Sequence, residues 1–406
     1  MKKLLQINIV SNMLSTGNIS EDIAKVARKR GWDCYIAYGR KSVSGISKEI
    51  KVGSVFDMYE HYFENRIFDN EGLASRRATL RLIDRIKEIQ PDVVHLHNIH
   101  DHYLNYKIMF HYLNNSKISV VWTFHDFWAI TGHCHHFIEA NCEKWKAECD
   151  HCPLQHSTVN SVIDRSKRNF QLKKKLFTEN KNLTIVAVSN WVGELVTESF
   201  LKEKRILVIP NGIDMESFKQ ICEPKHLSLP DDKFIIISVA KNWGWGDRKG
   251  LDGFVALSKM LGSDEVIVLV GMNQDLINQM PNNIIGLEKI SSKEELAILY
   301  SKADVMLSLS LAETFGLTIV EANACGTPAV VYDNTAPPSL LSSNTGYVAK
   351  NGDIEDAYQK IELIKSRGKS AYSMACIEHA EKYYNKDINY QKYIDLYETL
   401  ITEQNA

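Results

Sequence analysis

Short apolar runs alternate with amphipathic stretches along almost the whole chain. In the first half the runs predict β-strands at 4–10, 33–38, 92–96, 120–124, 184–188 and 206–209. Helical patterns lie between them, starting at about Ser20 and spanning 78–89, 104–114 and 191–200. Ser20 is a good N-cap, and Glu21 and Asp22 then stand in the first helical turn. Apolar strands separated by helices indicate parallel sheets covered on both faces.

A second series of the same kind follows the polar, proline-containing segment 219–233. Its runs predict strands at 234–240, 266–271, 282–285, 304–310 and 328–333. The pattern at 387–402 predicts a last helix. We therefore expect an α/β protein with two Rossmann-like domains and a C-terminal segment, with bounds 1–216, 217–386 and 387–406.

Net charge, the length of the apolar runs and the N-terminal stretch exclude several classes of protein. The chain has 406 residues, a formal net charge of -2 and 24% charged residues, so charge favours no nucleic-acid partner. No run approaches the ~20 apolar residues of a membrane span. Gln6 and Asn8 interrupt the N-terminal MKKLLQINIV, which predicts a strand rather than a signal peptide. We expect a cytoplasmic protein whose eight cysteines are reduced.

The stretch ETFGLTIVEA (313–322) has a carboxylate at each end. Its apolar residues predict a helix that begins at Gly316. The first N–H groups of a helix lack partners and attract phosphate. Glu313 and Glu321 could then face one anionic ligand that carries hydroxyl groups, such as a nucleotide sugar. The alternative is two solvated surface charges.

Three other segments follow predicted strands, where ligands bind in open α/β sheets. They are SNMLSTGN (11–18) with Gly17, WTFHDFW (122–128) with His125, and AKNWGWGDRKG (240–250) with Lys241, Arg248 and Lys249. Glycine allows close backbone approach, and the cations could neutralise a diphosphate. The alternatives are an ordinary turn, a buried hydrogen-bonded histidine and a solvated basic loop.

Together these motifs resemble glycosyltransferase family 4, which comprises retaining enzymes of the GT-B fold. The resemblance covers nearly the whole chain and is carried by PNGID (210–214), RKG (248–250), ETFGLTIVEA (313–322) and CGTPAV (325–330). HLHNIHDHYLNY (95–106) and WTFHDFWAITGHC (122–134) resemble a bacterial branch that makes cell-surface polysaccharide, such as capsule or lipopolysaccharide. The resemblance to the family implies two domains that face each other across a cleft, with a helix at 387–402 that crosses back to the first domain.

The resemblance also implies roles for single residues. Glu313 would bind the hydroxyls of the donor sugar, Glu321 the ribose, and His125 would face the sugar near its anomeric carbon. The diphosphate would be held by Lys249 and by the backbone amides of Phe315, Gly316, Leu317 and Thr318. The family's Gly-Arg before that lysine is missing, so either Lys241 or Arg248 would supply the second cation. The usual Gly-Gly of the first loop is reduced to Thr16-Gly17.

The implied reaction moves a sugar from a nucleoside-diphosphate sugar to a glycan or a lipid-linked acceptor. The chain has no Asp-x-Asp, the usual metal clamp, so we expect no catalytic metal and charge stabilisation by fixed cations and a helix terminus. Two alternatives are a GT-B nucleotide-sugar epimerase, which would isomerise donor without acceptor, and a non-catalytic nucleotide-sugar-binding protein.

The segment 161–177 combines basic and apolar residues. Its basic residues are Arg165, Lys167, Arg168, Lys173, Lys174 and Lys175. A basic helix with apolar residues can lie on the anionic inner face of a membrane, which would suit a lipid-linked acceptor. The alternative is a solvated helix whose apolar side packs on its own domain.

Four of the eight cysteines fall close together, in an insertion at 133–153 without a regular apolar period. They are Cys134, Cys142, Cys149 and Cys152, and the last two form a C-x-x-C. Because an insertion without its own core needs a stabilising cross-link, and disulfides are rare in a reducing compartment, the cluster predicts a structural zinc. His133, His135, His136 or His151 could replace one thiolate. The alternatives are four free thiols or two disulfides.

Overall fold

The computed structural model describes residues 1–221, 229–290 and 292–405 as two compact units. The first unit comprises Met1–Pro210 with Asp387–Ala406, and the second comprises Asn211–Lys386. The chain thus passes into the second unit six residues before the predicted boundary at 216/217. Residues 222–228 of the predicted linker lie outside the described residues.

The first unit contains a seven-stranded sheet in the order β3-β2-β1-β4-β5-β6-β7, and every pair is parallel. Its strands are β1 Lys3–Asn8, β2 Asp33–Tyr38, β3 Lys48–Lys51, β4 Val93–Leu96, β5 Ser119–Phe124, β6 Leu183–Ala187 and β7 Arg205–Val208. Its helices are α1 Leu14–Lys29, α2 Val55–Phe68, α3 Arg76–Ile89, α4 Tyr106–Asn114, α5 Ser166–Glu179 and α6 Asn190–Glu198. Short helical turns lie at Trp128–Ile130, Lys144–Lys146 and Gln155–Val159.

The second unit contains a six-stranded parallel sheet in the order β10-β9-β8-β11-β12-β13. Its strands are β8 Phe234–Val239, β9 Glu265–Val270, β10 Ile284–Leu287, β11 Val305–Ser308, β12 Ala329–Tyr332 and β13 Gly346–Ala349. Its helices are α7 Leu251–Ser258, α8 Gln274–Ile277, α9 Lys293–Lys302, α10 Leu317–Ala324, α11 Ile354–Arg367 and α12 Ser370–Tyr384, with a 3-10 turn at Pro337–Leu340. The prediction of two parallel α/β sheets is confirmed.

The last helix, α13, spans Lys386–Asn405 and packs on the first unit, as the resemblance implied. Its apolar side buries Tyr390, Tyr393 and Tyr397 against α1 and the sheet. In the described parts of the chain no helix is long and apolar enough to cross a membrane.

Two local predictions were wrong. The first helix begins at Leu14, not at Ser20, and its N-cap is Met13. Ser20 and Glu21 therefore lie buried inside α1, where Glu21 accepts hydrogen bonds from Ser47 instead of supporting a helix terminus. The strands β3 and β13 were not predicted, because KEIK of β3 and GYVA of β13 contain no long apolar run.

Candidate functional site

In the second unit, the turn after β11 leaves four backbone donors together at the start of α10. Gly316 is the N-cap of α10 and has φ +112°, a left-handed conformation that favours glycine. A Cβ there would also come within 2.9 Å of the Ile319 side chain. Within 292–405, the N–H groups of Phe315, Gly316, Leu317 and Thr318 have no hydrogen-bond acceptor. Such a terminus can bind an anion.

A lysine and a glutamate from distant segments pair beside this terminus. The Lys249 ammonium forms an ion pair with Glu313, which also accepts a hydrogen bond from the Ser310 hydroxyl at 3.2 Å. Glu313 is three residues before Gly316, so the pair lies next to the four amides. Both side chains are about one quarter exposed, which leaves them accessible to a ligand.

The basic loop reaches this position because Gly250 lets it pack tightly on the end of β11. Gly250 has φ +80°, and a Cβ there would lie 2.6 Å from the carbonyl oxygen of Leu309. The N–H of Leu311 donates to the carbonyl of Arg248 at 2.8 Å and joins the two loops. Trp243 anchors the loop by burying its ring against Phe254. In the sequence, the only indication that the basic loop packs closely on the end of β11 is the glycine of RKG.

The two candidate second cations occupy different places. Arg248 is half-buried directly before Lys249, and its backbone is fixed to the loop that carries Glu313. Lys241 is exposed two residues after β8. Because its backbone is fixed next to the loop that carries Glu313, Arg248 is better placed than Lys241 to supply the second cation.

Glu321 lies in the second turn of α10, on the same segment as the free amides. Its carboxylate accepts a hydrogen bond from the Tyr300 hydroxyl at 3.2 Å. Burial raises the pKa of Glu321 to about 7, and the Tyr300 hydrogen bond only partly opposes this shift. The group is therefore poised between its neutral and ionised forms near neutral pH.

In the first unit, His125 directly follows β5 and is held by a chain of side-chain hydrogen bonds. Its Nε2 lies 3.1 Å from Nδ1 of His97, whose Nε2 lies 3.0 Å from Oε1 of Gln6. The Gln6 amide nitrogen donates to the Ser20 carbonyl at 2.7 Å, so Oε1 must be the atom that accepts from His97. His97 then accepts from Nε2–H of His125. This network assigns the neutral His125 a lone pair on Nδ1.

Burial keeps these imidazoles neutral. It lowers the pKa of His125 to about 4 and that of His97 well below its usual range. His95 extends the network, because its ring contacts that of His97 at 4.1 Å between ring centres, tilted by 37°, and its Nδ1 lies 2.6 Å from the Tyr397 hydroxyl of α13. The support that α13 gives to the histidine cluster was not predicted from the sequence, because the contact joins residues 302 positions apart.

A second polar cluster, which sequence reasoning missed, lies beside His125. It comprises Glu71, His100, Asp126 and His135. Nε2 of His100 lies 2.8 Å from Asp126, and His135 lies 3.6 Å from Glu71. Burial opposes the charged imidazole, but Asp126 raises the pKa of His100 to about 9. One ligand atom each from Glu71, His100 and His135 lies within 4.8 Å of the others, a spacing that could hold a metal, although the ion pairs already balance the charges.

Gly17 is not the predicted turn before a helix, because it lies in the first turn of α1. A Cβ there would lie 3.1 Å from Val10 and 3.3 Å from the N–H of Asn12. The residue therefore allows α1 to pack on the loop after β1. Its closeness to that loop is compatible with a ligand near the start of α1.

Within the segment 161–177, α5 begins at Ser166, and the apolar side of this helix is not free, although Val162 and Ile163 before it are exposed. Phe170, Leu176 and Phe177 are buried in the first unit. Lys173 is buried as well and donates to the carbonyl of Trp128 at 2.7 Å. The membrane contact predicted for this segment therefore lacks its apolar face, and the alternative of packing on the domain itself describes α5.

The four clustered cysteines lie around one cavity. Its walls include Cys134, Cys142, Cys149 and Cys152, together with His133, Phe137 and Trp145. None of the four is in a disulfide in the structure. His135 points to the Glu71 cluster instead, and His151 is largely exposed.

Two family models match almost the whole chain. "Glycosyltransferase Family 4" matches residues 17–217, and "Glycosyl transferases group 1" matches residues 222–383. The chain belongs to glycosyltransferase family 4. It is therefore a glycosyltransferase, and the epimerase alternative finds no support.

Curated relatives and solved structures agree with this family. The chain is 23% identical to Escherichia coli (strain K12) "Putative colanic acid biosynthesis glycosyl transferase WcaC", covering 98% of this chain and 100% of that protein. Sucrose-phosphate synthase from Thermosynechococcus elongatus has a TM-score of 0.74 at 15% identity, covering 99% of this chain and 100% of that one. Anabaena HepE in complex with UDP and glucose has a TM-score of 0.65 at 15% identity, and the match covers 98% of this chain and 100% of HepE. These neighbours confirm the GT-B fold class.

Proposed function

We propose that this glycosyltransferase moves a sugar from a nucleoside-diphosphate sugar and retains the anomeric configuration of the donor. The observation that carries the proposal is the Lys249–Glu313 pair beside the four free amides of α10. A diphosphate fits a lysine and a helix N-terminus, both of which favour negative charge. Retention is taken from the family alone.

Donor binding would exchange one partner of this pair for another. The ammonium of Lys249 would turn to the diphosphate, which would release Glu313 to accept hydrogen bonds from sugar hydroxyls. Leaving-group charge would then be stabilised by the lysine, by Arg248 or Lys241 and by the amides. These groups supply fixed positive charge, so the proposal needs no catalytic metal.

His125 would face the sugar as a neutral imidazole. A charged imidazolium would oppose the positive charge that develops at the anomeric carbon, whereas the half-buried neutral ring can accept a hydrogen bond through Nδ1. Glu321 would bind the ribose hydroxyls. A ribose would replace the Tyr300 hydroxyl or share the carboxylate with it.

The acceptor is proposed to be a glycan or a lipid-linked sugar of a cell-surface polysaccharide. WcaC is named for colanic acid biosynthesis, and the solved relative WaaG for lipopolysaccharide biosynthesis. The cluster of Asp126 with His100 lies beyond β4 and β5, where acceptor hydroxyl groups would meet polar side chains. We place the reaction in the cytoplasm, where nucleotide sugars are made.

Peripheral membrane contact is proposed through α2 rather than α5. Phe56 is 86% exposed, and Tyr59 and Phe63 are each 60% exposed on the same helix. Exposed apolar residues at this spacing form one face, which marks an interaction surface. The exposed Arg76 and Arg77 are the first residues of α3. An ion pair between Arg81 of α3 and Asp57 of α2 holds these two helices together. A mixture of aromatic and basic groups suits an anionic leaflet.

A donor screen tests the proposal. Purified protein is incubated with UDP-, GDP- and ADP-sugars without acceptor, and slow release of nucleoside diphosphate is measured against Glu313→Ala. We expect hydrolysis of one donor class and its loss in the variant. Isomerised sugar, or no turnover of any donor together with no nucleotide binding, would contradict the proposal. NMR of the transferred product must show the anomeric configuration of the donor.

A further inference from the structure

The loop between the turn Trp128–Ile130 and α5 encloses the cysteine cavity. Between residues 131 and 165 the structure has only the short turns Lys144–Lys146 and Gln155–Val159. Even so, Trp145 and Phe137 are buried there, with their rings stacked at 4.7 Å. A loop of this length without strands or α-helices needs a further constraint to keep such side chains buried.

The four thiols line the cavity in which a bound ion could supply that constraint, but no three of their sulfur atoms lie within 4.8 Å of one another, so binding would have to draw them together. Cys134 and Cys149 are buried, whereas Cys142 and Cys152 are half-buried at the same cavity. The thiols of Cys134 and Cys152 are in hydrogen-bonding contact. The N–H of Gly132 donates to Sγ of Cys149 at 3.3 Å, and the N–H of Leu154 donates to Cys152. Backbone donors of this kind stabilise thiolates that bind a metal.

A basic side chain also lies near the cavity. Lys173 is 1% exposed, and its ammonium donates to the carbonyl oxygens of Trp128 and Thr131 and lies 3.5 Å from the centre of the Trp128 ring. It lies within electrostatic range of Glu71, Cys134 and Cys149. A negatively charged metal–thiolate centre would stabilise the charged form of this lysine.

A buried histidine completes the surroundings. His133 is 1% exposed, and its Nδ1 lies 2.7 Å from Oδ2 of Asp69. Its ring lies beside the Cys152 thiol. The Asp69 carboxylate therefore fixes the orientation of the His133 ring toward Cys152. Because Asp69 also accepts the N–H of Arg165, it ties the cluster to the start of α5.

We propose that Cys134, Cys142, Cys149 and Cys152 bind one structural Zn²⁺, with His133 as a neighbour that contacts a ligand rather than the ion. Four thiolates in tetrahedral geometry suit zinc, and binding would draw the sulfur atoms together across the cavity as their protons leave. The ion would hold the loop that places His135 beside Asp126. The site would therefore support the acceptor side without taking part in the transfer.

Metal analysis of the full chain purified without chelator tests the proposal. We expect about one zinc per chain, eight reactive thiols after denaturation and a lower Tm once a strong chelator has removed the metal, restored by Zn²⁺ alone. Cys149→Ser should lose the zinc, whereas Cys376→Ala, which alters a buried cysteine of the second unit, should keep it. His133→Ala should keep most of the zinc.

Each other outcome contradicts the proposal. Four missing thiols in the denatured protein would show two disulfides. A coloured protein that contains iron would show an iron–sulfur centre. Retention of zinc in Cys149→Ser, loss of zinc in His133→Ala with retention in Cys142→Ser, or wild-type protein that neither contains nor gains zinc would exclude the four-cysteine site. The wild-type measurements decide the question even where a variant fails to fold.

Discussion

The candidate donor groups of the second unit and the histidine network of the first unit are built from different kinds of contact. In the second unit, two short segments supply the free amides, Glu313 and Lys249, and glycines at 316 and 250 set their backbone. In the first unit, His125 depends on Gln6 and His97, and His95 depends on Tyr397 of the last helix. The donor groups are therefore accessible and lie on short segments with their own glycine turns. His95 and His97 are buried and His125 is half-buried, and all three are held in place by tertiary packing. Substitutions in the donor groups should remove direct contacts with the ligand, whereas substitutions in the histidine network should change only the position of His125.

The largest expected effect is that of Glu313→Ala. We expect kcat to fall about 1,000-fold because a contact with the reacting sugar is lost where charge develops. Nucleotide affinity should change little, since Lys249 and the amides remain. Kinetics with a donor identified by the screen, together with calorimetry of nucleotide binding, check this. Glu381→Ala removes an exposed glutamate of α12 and should behave as wild type. Unchanged turnover in Glu313→Ala would place the sugar elsewhere.

His97→Ala should have the next largest effect. Loss of its Nδ1 lets the His125 ring rotate, and we expect kcat to fall about 100-fold, the cost of a misplaced reacting group. KM for the donor should stay near the wild-type value. His111→Ala, an exposed histidine on α4, is the control. A further sign is the NMR titration of His125, whose pKa should rise from about 4 as the packing loosens. An equal loss of nucleotide affinity would contradict a role limited to positioning.

A smaller effect separates the two candidate cations. Arg248→Ala should weaken nucleoside-diphosphate binding about tenfold, in line with the loss of one charge-assisted hydrogen bond. Lys241→Ala should weaken it less, because this residue is exposed and no contact within the described part of the chain fixes it toward α10. Calorimetry with nucleoside diphosphate and with nucleoside alone measures both. The reverse order of effects would assign the second cation to Lys241.

The smallest expected effect is a pH-dependent change of stability at Glu321. The folded pKa of Glu321 is raised to about 7 from 4.5, so the folded state holds this proton more tightly than the unfolded state. Stability from this group is therefore present at low pH and is lost as the pH rises through 7. Tm of Glu321→Gln minus Tm of the wild type should increase between pH 5 and pH 8. The same difference for Glu381→Gln should stay flat, and a flat result for Glu321→Gln would contradict its burial.

Much of the fold could be predicted from local patterns. Interior strands such as β5 and β9 are buried along their whole length and consist mostly of apolar residues, so both sheets were apparent from the apolar runs. The edge strand β3 was not apparent, because its residues KEIK are mostly polar and exposed. The start of α1 also escaped prediction. Its first residue, Leu14, has φ +57°, which a sequence pattern does not indicate, and Ser20 is an attractive N-cap that packing overrides.

The sequence by itself determined which chemical groups stand at the ends of the strands. ETFGLTIVEA specifies its own turn, because only glycine suits φ +112° at position 316. Tertiary structure decided which of these groups meet. Lys249 pairs with Glu313 across 64 positions, and His97 with Gln6 across 91. Such pairs depend on the order of the strands in each sheet and on the packing of helices over them. Local periodicity encodes neither property. The same packing decided that α5 buries its apolar side while α2 leaves an aromatic face in solvent.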